Sequence, residues 1–161
     1  MSSAAADRAP SDRSDDLVDA LLTVLPHFVG VATRSIAAVD GDLTVPQYRA
    51  LLVLSESGGQ NLGTLSTRLG VHPSTATRLC DRLVAKRLIT RRAGRNDRRE
   101  VVHRLTARGR RIVDDVTARR RAEFEQVVGE VGVSRRESLV VAVARLVDAL
   151  ATVQDDAPTQ A

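Results

Sequence analysis

The chain is short of cysteine, aromatic residues and lysine, and each shortage narrows what it can be. A single cysteine, Cys80, excludes an intramolecular disulfide. Tryptophan is absent and Phe28, Tyr48 and Phe124 are the only aromatics, so a core must be built from Leu, Val, Ile and Ala, which suits packed helices. Lysine occurs once among 24 basic residues. The arginine excess fits a GC-rich genome, and it also supplies bidentate donors for phosphate and guanine. No run approaches the ~20 apolar residues that span a bilayer, and the stretch Met1–Asp16 lacks the apolar core of a signal peptide, so a cytoplasmic protein without membrane contact is expected. His27, His72 and His103 lie far apart with no Cys or His at ligand spacing. The sequence therefore offers no metal site, no cofactor site and no catalytic constellation, and the expectation is not an enzyme.

What is present is a folding composition with a lopsided charge. Of 161 residues, 43% are apolar and 27% charged, which describes one globular domain. Residues 61–111 hold 14 Arg and Lys against Asp81, Asp97 and Glu100, whereas the rest of the chain holds 10 basic and 17 acidic residues. A cationic centre between acidic flanks points to a polyanionic partner, the plainer alternative being a solvated basic surface.

Periodicity organises the chain. Residues 1–13 and 154–161 carry no pattern and read as loose tails around a domain over 14–153. Leu17, Leu21, Leu25, Phe28, Ala32 and Ile36 recur at helical spacing after Ser14, a predicted N-cap, and Pro26 predicts a kink or short break. A second helix is predicted over 45–57, with Thr44 as N-cap and Gly58-Gly59 ending it. A short helix over 62–69 capped by Thr64, the break Gly70-Val71-His72 and a helix over 73–87 have helix-turn-helix spacing. Segments 88–92 and 100–105, joined through Gly94 and Asn96, read as a β-hairpin. One further helix is entered at Thr106, with Ile112, Val113, Val116, Phe124 and Val127 as its stripe. Another begins at Ser134, where Ser134 and Glu137 predict a capping box. The fold class is thus mainly α with a small β-hairpin wing: a winged helix-turn-helix (about 44–105) between terminal helices (about 14–40 and 106–153). Those terminal helices can pair within one chain or across a two-fold axis.

At 100° per residue the helix from Pro73 turns Ala76, Leu79, Cys80 and Leu83 to one side and Ser74, Arg78, Asp81 and Ala85 to the other, flanked by Thr75 and Arg82. Short hydroxyls and two arginines one turn apart suit the major groove; the alternative is an exposed amphipathic helix whose hydroxyls only cap. In the hairpin, Arg95, Arg98 and Arg99 surround Asp97. A guanidinium there suits a minor groove, and Asp97 can hold Arg99 extended; an ordinary surface ion pair is the alternative.

The segments Leu43-Thr44-Val45-Pro46-Gln47-Tyr48-Arg49-Ala50-Leu51, Pro73 through Leu83, and Asp97-Arg98-Arg99 through Leu105-Thr106-Ala107-Arg108-Gly109 resemble the multiple antibiotic resistance regulator (MarR) family over residues 14–153. The resemblance implies a homodimeric transcriptional regulator, a repressor, whose terminal helices interlock and whose winged domains sit on adjacent major grooves of a pseudo-palindromic operator on double-stranded DNA. It assigns Ser74, Thr75, Thr77, Arg78 and Arg82 to the major groove, Arg99 to the minor groove and Arg95 and Arg98 to phosphates. It also implies a small aromatic or anionic effector, for which this chain would offer Phe28, Tyr48, Leu52, Ile112 and Val116, all equally suited to a core. Arg87 departs from the family pattern, which has Gly there to end the helix. Two other functions fit parts of the sequence: a winged-helix module for protein or nonspecific nucleic acid, and a thiol-based redox sensor through Cys80, which the inward position of that thiol argues against.

Overall fold

A computed structural model describes residues 10–94 and 100–155. The elements run α1 (Pro10–Ala37), α2 (Val45–Ser57), β1 (Gln60–Asn61), α3 (Leu62–Leu69), α4 (Pro73–Ala85), β2 (Ile89–Ala93), β3 (Val101–Leu105), α5 (Ala107–Glu130) and α6 (Val133–Asp155). The predicted class therefore holds: six helices and one small antiparallel sheet.

Local chemistry sets most boundaries. Thr44 caps α2 in a reciprocal box: its hydroxyl accepts from the Gln47 N–H at 3.4 Å, and the Gln47 side chain accepts from the Thr44 N–H at 3.1 Å. Gly58, at φ 71°, ends that helix. Thr106 caps α5 through the Gly109 N–H.

Four expectations need correction. Helix α1 begins at Pro10, not after Ser14, so part of the predicted tail is helical, and it passes through Pro26 unbroken; likewise α6 reaches Asp155. The cap of α3 is Asn61, whose side chain accepts from the Thr64 N–H at 2.8 Å, so Thr64 is the residue capped. Helix α6 starts at Val133, which puts Ser134 inside its first turn, and the predicted box with Glu137 does not form. Finally, Ser14–Ala37 is long and apolar enough by length and composition to cross a membrane, with a mean hydropathy of 1.4, because Ala, Gly and Thr separate its aliphatic residues with few charges.

The sheet has the order β1-β3-β2. β2 and β3 pair from Ile89↔Leu105 to Ala93↔Val101, and the two-residue strand β1, absent from the sequence reading, pairs Gln60↔His103 and Asn61↔Val102. Strand β1 has no periodicity of its own; its existence depends on the free edge of β3.

The core lies where α2 meets α3, α4, α5 and the base of the sheet. Leu51, Leu54, Leu65, Leu83, Leu88 and Val116 are fully buried there, with Tyr48 the one aromatic. Arg120 lays its guanidinium 4.6 Å over the Tyr48 ring and donates from Nε to the buried Ser35 hydroxyl at 3.0 Å, which binds α1, α2 and α5 together.

Between α4 and β2 the chain must reverse in three residues. Arg87 does so at φ 58°, the left-handed region that a glycine occupies without strain. The departure noted at position 87 thus changes the residue and keeps the conformation. Arg87→Gly should raise stability by about 1 kcal/mol, read from the urea midpoint; an unchanged or lower midpoint would count against strain at this turn.

Candidate nucleic-acid interface

Helix α4 is held by opposite demands on its two sides. Ala76, Leu79, Cys80 and Leu83 are buried, whereas Ser74, Thr75, Arg78, Asp81 and Arg82 are exposed. The predicted two-faced helix is therefore present, with one adjustment: Thr77 is half-buried at the flank and its hydroxyl donates to the Pro73 carbonyl at 2.9 Å. His72, the last residue of the predicted break, is the N-cap. Its Nδ1 accepts from the Ser74 N–H at 3.3 Å and lies 2.9 Å from the Ser74 hydroxyl. This holds the Ser74 hydroxyl at the helix N-terminus, where the peptide dipoles favour an anion.

The wing stands beside this helix. The Gly94 N–H donates to the Glu100 carbonyl at 2.7 Å and closes the paired part of the hairpin. Arg95, Asp97, Arg98 and Arg99 lie outside the described residues. Of the other wing arginines, Arg92 is exposed, while Arg104 donates to the Gly58 carbonyl at 2.8 Å and braces the end of α2.

The basic centre thus divides into bracing and available charges. Arg68 pairs with Glu56 at 2.9 Å, and Lys86 donates to the Asp42 carbonyl at 2.6 Å. Among the described residues, Arg78, Arg82 and Arg92 have no carboxylate partner, and all three are exposed.

Sequence reasoning missed Arg91. From β2 it forms an ion pair with Asp81 of α4, and its Nε donates to His103 Nε2 on β3 at 3.3 Å. One guanidinium therefore joins wing and helix. Predicted strands with Arg91 opposite His103 could have revealed half of this contact; the partner on α4 could not be found that way. His103 is buried, and its Nδ1 has no hydrogen-bond partner among the described residues. Burial first, then the Arg91 charge, holds its pKa below the ordinary histidine range, opposed only in part by the Gln60 backbone and Asp81. The fold thus prefers the neutral ring. That stabilisation is complete above the ordinary range and is lost as pH falls towards the lowered value.

Cys80 is fully buried, and burial pushes its thiol up to about 11, outweighing the lowering by Arg91. It remains a protonated, small apolar group at neutral pH, a poor redox sensor.

The five expected effector residues differ in their surroundings in the single chain. Tyr48, Ile112 and Val116 are core residues, Leu52 packs against that core, and Phe28 is half-exposed against Phe124 with ring centroids 5.7 Å apart. An open groove of about 570 Å³ lies farther along α5, lined by Arg120, Arg121, Phe124, Val128 and Arg136 among others.

Comparison with known proteins agrees with this geometry. The MarR family model matches residues 43–101. The crystal structure of RV1404 from Mycobacterium tuberculosis is 40% identical, with a TM-score of 0.79 over 89% of this chain and 95% of that one. CouR from Rhodococcus jostii RHA1, solved bound to p-coumaroyl-CoA, is 25% identical, with a TM-score of 0.70 over 89% and 95%. The HTH-type transcriptional regulator TtmR of Methylorubrum extorquens (strain PA1) is 40% identical over 84 residues, 52% of this chain and 43% of that protein. The chain spans about half the length of the curated relatives it matches. The matched block holds α2 to α4 and β2, and the structural likeness extends over most of the chain, so the chain belongs to the MarR family of winged helix-turn-helix regulators.

Proposed function

We propose that the chain acts in the cytoplasm as a homodimeric repressor that binds a pseudo-palindromic operator on double-stranded DNA, without enzymatic activity or cofactor. The observation that carries this reading is α4: a core-locked inner side under an outer side of Ser74, Thr75, Arg78 and Arg82. A rigid helix with short hydroxyls at its N-terminus and unpaired arginines beyond can enter a major groove, where arginine reads guanine edges. Thr77 would contribute from the flank. Arg99 is proposed for the minor groove, Asp97 for orienting it, and Arg95 and Arg98 for phosphates.

Dimerisation is supported by the terminal helices. Leu17, Leu22, Leu25 and Val29 of α1 and Val133, Val140, Val147 and Val153 of α6 are each more than half exposed in the single chain. On α6 these residues alternate with Arg145 and Asp148, which a second protein surface tolerates and hydrocarbon does not. Should a small aromatic or anionic effector act on the dimer, the groove along α5 offers it both guanidinium groups and the apolar wall of Phe124 and Val128.

Selection from a random duplex library tests the reading. Enrichment of a two-part consensus with half-sites about one turn (~34 Å) apart is expected, bound ~10³-fold or more above random DNA and weakening steeply with salt. A module for protein or nonspecific nucleic acid would enrich nothing. Arg78→Ala should weaken binding of the selected duplex by roughly 10- to 100-fold, as loss of a bidentate base contact does, with the thermal midpoint unchanged. Wild-type affinity in this variant would remove α4 from the interface.

A further inference from the structure

The contact that joins wing to helix has a chemical property that a plain ion pair lacks. Arg91 is held at two points: its Nε–H donates to His103 Nε2 at 3.3 Å, and its Nη2 pairs with Asp81. An arginine has no acceptor to offer, so Nε2 must be the unprotonated nitrogen of a neutral ring, with the proton on Nδ1. If the ring takes up a second proton, two N–H groups of two cations face each other across that distance, and the hydrogen bond cannot persist.

We propose that His103 and Arg91 form a proton-controlled latch between wing and recognition helix: protonation of the imidazole expels the guanidinium from Asp81 and loosens the hold on DNA. Two effects act together. The wing loses a side-chain tie to α4, and the Asp81 carboxylate, half-exposed on the same helix as Arg78 and Arg82, loses its exposed guanidinium partner near the approaching phosphates and keeps only the buried imidazolium behind it. The charges acting on His103 are Arg91 from β2 and Asp81 from α4; β1 contributes only the Gln60 backbone, and the neighbouring Cys80 thiol stays neutral. Burial of the ring disfavours the imidazolium, so the latch opens only below the ordinary histidine range.

The consequence for DNA rests on the proposed function, so the test has one arm with DNA and one without. In labelled protein free of DNA, the Arg91 Nε–H resonance should shift in step with the His103 ring as pH falls from 8 to 5. In His103→Gln, whose amide oxygen can accept the same bond without titrating, it should stay put. An Arg91 resonance indifferent to the His103 titration overturns the latch whether or not a duplex has been selected. In the second arm, wild type should lose roughly tenfold more affinity for the selected duplex than His103→Gln over that range at constant ionic strength, the loss expected for one charge-assisted hydrogen bond. His27 and His72 are present in both proteins, so the comparison cancels them. Asp81→Asn, at an exposed position, should also flatten the pH response and serves if His103→Gln does not fold. Equal pH dependence in wild type and a folded variant, or tighter binding by wild type in acid, overturns the proposal.

Discussion

Aspartate at Leu22 of α1 and at Val147 of α6 should convert the protein to a monomer and lower its affinity for an operator duplex by about 10²- to 10⁴-fold. Both side chains are more than half exposed in the single chain, so the change removes little from the fold of one copy. In a two-fold interface each substitution occurs twice, and each carboxylate must be desolvated where an aliphatic group contributed ~1.5–3 kcal/mol of burial. Loss of the dimer also removes the linkage between half-sites, so a single recognition helix must bind alone. Sedimentation and fluorescence anisotropy read the two effects separately. A variant that stays dimeric would show that these helices do not form the interface, and a monomer with full affinity would show that dimerisation is irrelevant to binding.

Gly109→Ala should destabilise the protein by about 3 kcal/mol, a large loss for one added methyl. A Cβ at Gly109 would lie 2.1 Å from the Leu88 carbonyl oxygen and 3.1 Å from its carbon. That carbonyl cannot withdraw: it accepts from the Thr106 N–H at 3.0 Å and the Thr106 hydroxyl at 3.1 Å, while the Leu88 N–H donates to Leu83 at 2.9 Å. Relief therefore requires α5 to lift from the wing, exposing part of the packing of Ile112, Val113 and Val116. A urea titration should show a lower midpoint with an unchanged slope. A midpoint within the equivalent of about 0.5 kcal/mol of wild type would mean the close approach is relaxed in solution.

The residues involved show how far local patterns reach. The two sides of α4 were legible because a 3.6-residue period sorts side chains before any partner is known, and Thr44 and Thr106 were legible because a cap bonds three residues away. Thr64 and Ser134 fit the same local rule but are not caps, since Asn61 begins α3 and the turn at Gly132 begins α6 earlier. Three of the expected effector residues show the limit most plainly. Tyr48, Ile112 and Val116 carry the same apolar signal in a pocket wall as in a core, and only their neighbours in space put them in the core.

By itself the sequence determined the order of helices, the wing, the cationic centre and the face of α4 that meets solvent, because these depend on composition and on spacings of a few residues. The tertiary structure alone decided that Arg91 bridges Asp81 and His103, that Gly109 admits no side chain and that β1 exists at all. Each of these depends on atoms brought together from distant parts of the chain, and no periodicity encodes such a meeting.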